Sequence, residues 1–259
     1  LKTRIPLPVN KDELYVLSQN INNLLNRIES AIDREKQFTS DASHELRTPL
    51  AVIKGTMEVL IRKPRNQQEY EEKIQFCISE VDRLNHMVDQ LLLLARFENQ
   101  KQNVKQETIY LNALILDNLT RFSEKSESKK LKIKTEFTED YYLISDNYLV
   151  SIIISNLISN AIKYSNPNGE IAIELGKTND EVTFSITDYG VGIAKNDLDK
   201  IFNSFYRSDV SNHPEIKGTG LGLSIVKRLC DLLRIKISVE SRINEKTKFI
   251  LQFSSAKLK

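Results

Sequence analysis

A helical hairpin that pairs with a second copy of itself, followed by an α/β two-layer sandwich, is the multi-domain architecture predicted for this 259-residue chain. Three observations carry that expectation. Apolar residues recur three or four apart at Phe38, Ala42, Leu46, Leu50, Ile53, Met57 and Leu60, the period of an amphipathic helix. The same period returns at Ile74, Cys77, Val81, Leu84, Val88, Leu91 and Ala95, after the turn-favouring Lys63-Pro64-Arg65-Asn66. Beyond the polar stretch from Glu98 to about Lys105, alternating strand-like segments take over and are interleaved with helical ones. A lone hairpin leaves both stripes in water, whereas two copies joined as a dimeric four-helix bundle bury them, so a homodimer is expected.

Taken in order, Asp12 to Lys36 carries Leu17, Ile21, Leu24, Ile28 and Ile32 at coiled-coil spacing. Pro8-Val9 followed by Asp12-Glu13-Leu14 resembles the start of the second helix of a HAMP linker; a charged helix that lengthens the next one is the other reading. Helix character continues from about Asp33 to Lys63, where Pro49 removes a main-chain donor and should bend the helix. Strands are expected at Thr108 to Leu111, Leu131 to Phe137, Tyr141 to Ile144, Glu170 to Leu175, Glu181 to Thr187, Ile235 to Glu240 and Lys248 to Phe253. Helices are expected at Asn112 to Ser126, Asn147 to Tyr164 and Gly220 to Leu233. Several helices with a mostly antiparallel sheet argue for two layers. The parts are therefore 1–34, 35–102 and 103–259.

Composition excludes several functions. Thirty-seven basic against 35 acidic residues leave a net charge of +2, without the basic footprint of a nucleic-acid binder. No apolar run reaches the roughly eighteen residues needed to cross a bilayer, so no direct membrane contact is expected of these residues. Cys77 and Cys230 stand far apart, which fits core packing in a reducing compartment rather than a disulfide or zinc site. A first residue of Leu and the lack of a signal peptide point to a piece of something longer.

His44 lies in Phe38-Thr-Ser-Asp41-Ala-Ser-His44-Glu45-Leu-Arg-Thr48-Pro49-Leu50 but off the apolar stripe. At about 100° per residue it stands roughly 200° from Ala42 and Leu46, on the wet face beside a carboxylate. Imidazole in water titrates near about 6.5, so a histidine is a competent nucleophile at neutral pH. Glu45 is the candidate to orient the ring and accept its proton. Arg47, His86 and His213 read as ordinary surface residues.

Three further blocks suit a nucleotide. Asn156, Asn160, Lys163 and Tyr164 share one side of a helix. Amide oxygens can hold a hard cation, a lysine can neutralise phosphate, and a tyrosine can stack on a base. Asp188-Tyr-Gly190-Val-Gly192-Ile193 ends a strand in a sharp turn, with a carboxylate able to accept the exocyclic amine of adenine. Gly218-Thr219-Gly220-Leu221-Gly222 opens a helix whose exposed N–H groups would cradle phosphate. The dinucleotide reading is disfavoured, because no parallel βαβ pattern surrounds these glycines.

The order of these blocks, with Ile201-Phe202-Asn-Ser-Phe205-Tyr206-Arg207 between the last two, resembles the Bergerat-fold (GHKL) ATPases. The upstream histidine box narrows the resemblance to the histidine kinases of two-component systems, from about Lys36 to the C-terminus. That resemblance implies a signalling helix or HAMP remnant over 1–34, a dimerisation and phosphotransfer domain over 35–102 and an ATP-binding domain over 103–259. It implies ATP with Mg²⁺ bound by Asn160, Asn156 and Lys163 at the phosphates, Tyr164 against the nucleoside, and Asp188 on adenine. Gly190, Gly192 and Ile193 would shape the adenine loop. Phe205, Arg207, Gly218, Thr219, Gly220, Leu221 and Gly222 would complete the site, and 208–217 would form a lid. Lys217 departs from the family, where many relatives carry another glycine. The implied activity is autophosphorylation of His44 and transfer to an aspartate of a response regulator receiver domain. Glu45-Leu-Arg-Thr48 also resembles the ExxT pattern of kinases that dephosphorylate their regulators. The implied setting is the cytoplasmic part of an inner-membrane sensor. Two competitors stand beside it: a Bergerat ATPase driving a conformational clamp, and a scaffold that binds nucleotide without reacting.

Overall fold

The structure, a computed structural model, describes residues 3–99, 104–178, 181–208 and 218–253. They form two compact units, 1–84 and 85–259. Helix α1 (Glu13–Ile61) and the first half of α2 (Gln67–Asn99) belong to the first. Asp12 starts α1 by accepting from the N–H groups of Leu14 and Tyr15 at 3.1 and 3.2 Å, an N-cap that satisfies two otherwise orphaned donors. The helix then runs unbroken through residue 34 and through Pro49, which is buried and leaves the Glu45 carbonyl without its main-chain donor. Leu60, Cys77 and Glu80 are buried, but Leu50 and Met57 on the expected stripe remain 55% and 53% exposed in the single chain. No described helix is long and apolar enough to cross a membrane.

The second unit contains every predicted strand. Strands β1 (Glu107–Tyr110) and β3 (Tyr142–Ser145) pair antiparallel as a separate two-stranded sheet. The main sheet has the order β2-β4-β5-β7-β6, from β2 (Lys132–Phe137), β4 (Glu170–Thr178), β5 (Glu181–Asp188), β7 (Lys246–Phe253) and β6 (Ile235–Arg242). Only β2 with β4 is parallel; the other three pairings are antiparallel. Alternation places Val182, Phe184 and Ile186 of β5 and Phe249, Leu251 and Phe253 of β7 in the core.

Helix α5 (Asn147–Tyr164) packs against this sheet and against α6 (Gly222–Leu233) and α3 (Leu111–Thr120), burying Ile153, Ile154, Leu157 and Ile158. Asp146 caps its start, accepting from Leu149 N–H at 3.1 Å and Lys105 N–H at 3.0 Å. The helix expected over 112–126 is instead two, α3 and α4 (Ser123–Ser128). Phe122 N–H bonds to Leu119 O at 3.0 Å, tightening and ending α3, while its own ψ of 10° leaves the helical path. Cys77 and Cys230 are buried free thiols, and burial pushes the Cys230 thiol up to about 12.

Phe184 is fully buried in the central strand β5. Phe184→Ala should lower the unfolding free energy of the α/β unit by about 3–5 kcal/mol in denaturant titration. Lys134→Ala, which removes a surface bridge to Glu170, should leave the midpoint unmoved.

Candidate functional site

A cavity of about 470 Å³ opens where α5, the end of β5, and β7 meet the segment 191–208. Of the residues expected at a nucleotide, Asn160, Tyr164, Asp188, Gly192, Ile193 and Arg207 line it. The convergence has a local cause. α5 delivers Asn160 and Tyr164 on the flank that turns away from its apolar face, while β5 ends by presenting Asp188 opposite Thr247 of β7. After Asp188 the chain bends back, and Gly190 pairs with Ser165 in an isolated antiparallel bridge. A Cβ on Gly190 would fall on the Tyr164 carbonyl, so only glycine allows this approach.

The glycine block lies against the same helix. A side chain at Gly218 would run into the Lys163 ammonium, and one at Gly222 would come within 2.8 Å of the Asn156 amide oxygen. Bare backbone therefore faces the two phosphate-directed residues, as a polyanion cradle requires. Gly220 has a φ of +71° and its carbonyl is held by Phe205 N–H, which donates to Gly220 O at 3.0 Å. Phe205, with a φ of +63°, packs its main chain against Gly220 and is not among the residues that line the cavity. Thr219 Oγ1 accepts from Leu221 N–H at 3.3 Å. Leu221 sends a fully buried side chain into the core, leaving only its main chain for a ligand. The α6 helix begins at Gly222, two residues later than expected, because the positive φ at Gly220 is not helical. Residues 209–217, which hold most of the expected lid together with His213 and Lys217, lie outside the described residues.

Two electrostatic features mark the cavity. Lys163 Nζ sits 4.8 Å from the Tyr164 ring centroid and 3.3 Å from its hydroxyl, a cation over an aromatic face. Burial raises the Tyr164 phenol, with the charge of Arg207 pulling the other way. Asp188, also on the cavity wall, is only 4% exposed. No cluster of three His, Cys, Asp or Glu able to hold a metal occurs among the described residues. A cation here would rest on the Asn160 amide oxygen and on ligand and water oxygens, a donor set that suits Mg²⁺ on a triphosphate. ATP and Mg²⁺ therefore fit the residues present.

Several lining residues were not singled out in the sequence, Asp197, Leu223, Thr247 and Phe249, and they join Tyr206 of the 201–207 block and Ser208 of the expected lid. Asp197 accepts from Tyr206 Oη at 2.7 Å and Ser208 Oγ at 2.6 Å, and these bonds hold its carboxyl below the usual carboxylate range. They pin the turn that presents Arg207. Distant from the cavity residues in sequence, His44 is exposed on α1, as expected, with Glu45 half-buried beside it. Thr48 Oγ1 donates to the His44 carbonyl at 3.1 Å. His86 is exposed.

Known proteins match in the same order. Residues 34–100 match the family model described as the His Kinase A (phospho-acceptor) domain, and 145–257 that of the histidine kinase-, DNA gyrase B-, and HSP90-like ATPase. The chain is 30% identical over 264 residues to the signal transduction histidine-protein kinase ArlS of Staphylococcus aureus strain USA300, covering 97% of this chain and 56% of ArlS. It thus spans little more than half of that relative's length. The Acinetobacter baumannii histidine kinase AdeS is 26% identical with a TM-score of 0.67, over 82% of this chain and 98% of AdeS. The histidine kinase ThkA in complex with the response regulator protein TrrA shares the fold at 22% identity, with a TM-score of 0.70 over 89% of this chain and 67% of that one.

The buried carboxylate supplies a pH readout. Burial pushes Asp188 from an ordinary 3.8 up to about 7, against the opposing pull of Gly190 N–H, 3.2 Å from Oδ1, and of its own main chain. The folded state therefore holds this proton more tightly than the unfolded chain. The resulting stability is fully present below about 3.8 and is lost as pH rises through about 7. Asp188→Asn, which cannot titrate, should gain roughly 1–3 kcal/mol over wild type between pH 5 and 8 in denaturant titrations without nucleotide. An equal difference at both pH values would contradict the assignment. An exposed histidine in a phosphoacceptor-type helix, an ATPase-type cavity built on Asn160 and Asp188, and both family models in register place this chain among the sensor histidine kinases of two-component systems.

Proposed function

We propose that this chain phosphorylates its own His44 from ATP and passes the phosphoryl group to an aspartate of a response regulator receiver domain. The observation that carries the reading is the convergence of Asn160, Tyr164, Asp188 and Arg207 on one cavity, in a chain that also exposes His44 next to Glu45. The domain limits that go with it are 35–102 for dimerisation and phosphotransfer and 103–259 for ATP binding, with 1–34 as a signalling helix. Support for a homodimer comes from the exposed Leu50 and Met57, which a second copy would cover. The response regulator partner is supported by the shared fold with ThkA, whose structure is a complex with TrrA. The expectation of a cytoplasmic segment of a membrane sensor agrees with the short coverage of ArlS.

In this reaction the imidazole nitrogen of His44 forms a bond to the γ-phosphorus, the bond to the leaving ADP oxygen breaks, and Glu45 accepts the imidazole proton. Lys163 and Arg207 offset phosphate charge, and Asp188 fixes the adenine so that the triphosphate points toward the glycine block. Asn160 would hold Mg²⁺, which supplies further charge neutralisation at the transferred group. Regulator dephosphorylation would fall to Thr48. In its present rotamer the hydroxyl donates to the His44 carbonyl, so the oxygen offers only acceptor lone pairs to a water.

Incubation with γ-labelled ATP and Mg²⁺ tests the reading. Acid-labile, base-stable label on the wild type and none on His44→Gln is the expected outcome, with Glu45→Gln slowed roughly 10²–10⁴-fold. Phosphate release without protein label would favour the clamp ATPase, and nucleotide binding with neither would favour the scaffold. Thr48→Ala should keep autophosphorylation and lose regulator dephosphorylation; retained dephosphorylation removes Thr48 from the mechanism.

A further inference from the structure

At the end of helix α5 the Ser165 N–H and hydroxyl both donate to Ala161 O, at 3.0 and 2.7 Å, and reach none of the later carbonyls. Ser165 continues in an extended conformation, with φ of −63° and ψ of 144°, so no left-handed residue folds its N–H groups back onto the last carbonyls. Yet the carbonyls of residues 162–165 all have donors. Lys129 Nζ lies 3.0 Å from Ile162 O, 2.7 Å from Lys163 O and 3.2 Å from Ser165 O. Tyr164 O, which the lysine does not reach, accepts from Val191 N–H at 3.3 Å. An ammonium has three protons, and here each has a carbonyl, with the positive charge set at the negative end of the helix dipole. Lys129 is also tied through its main chain, since Asn168 N–H donates to Lys129 O at 2.9 Å.

The carbonyls so held belong to the segment that builds the nucleotide site. Lys163 backs the glycine block, Tyr164 lines the cavity, Asn160 lies one turn earlier, and Ser165 bridges to Gly190 two residues beyond Asp188. Lys129 itself does not line the cavity. We propose that Lys129 is a positioning residue for nucleotide binding: its ammonium fixes the end of α5 and, through the Tyr164–Val191 and Ser165–Gly190 pairings, the turn that carries Asp188. Without it, three last-turn carbonyls lose their donor together, the final turn frays, and Lys163 and Tyr164 lose their register with the Asp188 turn. The inference rests on the reading that this site takes ATP.

The test compares Lys129→Met, Lys129→Gln and Lys130→Met in the full chain, by affinity for ATP with Mg²⁺, the KM and kcat of autophosphorylation, and hydrogen exchange at the Val191 amide. Lys129→Met should raise the KM for ATP about tenfold with kcat little changed, and Val191 should exchange faster. Lys129→Gln, which keeps one donor, should fall between, and Lys130→Met, which removes the same charge one residue away, should behave as wild type. Wild-type affinity in both Lys129 variants, or an equal loss in Lys130→Met, overturns the proposal. A Lys129→Met protein that does not fold leaves Lys129→Gln to decide, and wild-type affinity there overturns it too. A wild-type chain that binds no ATP would instead sink the functional reading beneath it.

Discussion

The approach of Gly190 to the Tyr164 carbonyl is the constraint on which the site depends. Two segments 26 positions apart in the chain touch there, main chain to main chain, with no room for a side chain between them. Because α5 ends at that contact and β5 has just ended at Asp188, one close approach sets the distance between the cationic and the carboxylate sides of the cavity. A methyl group at 190 would push the two apart, and with them Tyr164 and Asp188 on the cavity wall.

Chemically, the cavity is mixed. Tyr164 and Arg207 line it, and behind the Tyr164 ring stands the Lys163 ammonium, against the bare backbone of Gly218. Asp188 adds a desolvated carboxyl held between strands β5 and β7. A ligand with a polyanionic tail and a hydrogen-bond-donating ring matches that combination. The free protein bears the cost of the arrangement in a raised carboxyl pKa and in backbone such as Phe205 held at positive φ.

The helical part works by exposure rather than enclosure. Polar residues on both sides of His44 keep the ring in water, and Pro49 one turn on interrupts the main-chain ladder without ending the helix. The Asp12 cap and the unbroken course of α1 join the coiled-coil-like stretch directly to the histidine box as one continuous helix. Apolar residues also stay exposed along α1, Leu50 and Met57 among them.

Much of this was legible in the residues. Helix α5 has the bounds expected of it, and both ends have local causes: Asp146 caps its start, and Ser165-Asn-Pro does not continue a helix. Strand β7 buries one face by alternation, whereas β5 is buried on both faces from Phe184 to Asp188. His44 could be placed in solvent from helical phase alone. What local chemistry could not reach were contacts made across the sheet. Thr247 and Phe249 join the cavity because β7 lies beside β5, and strand order is not written in any one segment. The break between α3 and α4 turns on a single tightened bond at Phe122, and the capping of α5 by Lys129 on a side chain over thirty positions away. Periodicity and capping are properties of neighbours in the chain and survive without the fold; which backbone groups find donors across the domain is decided only when the layers close.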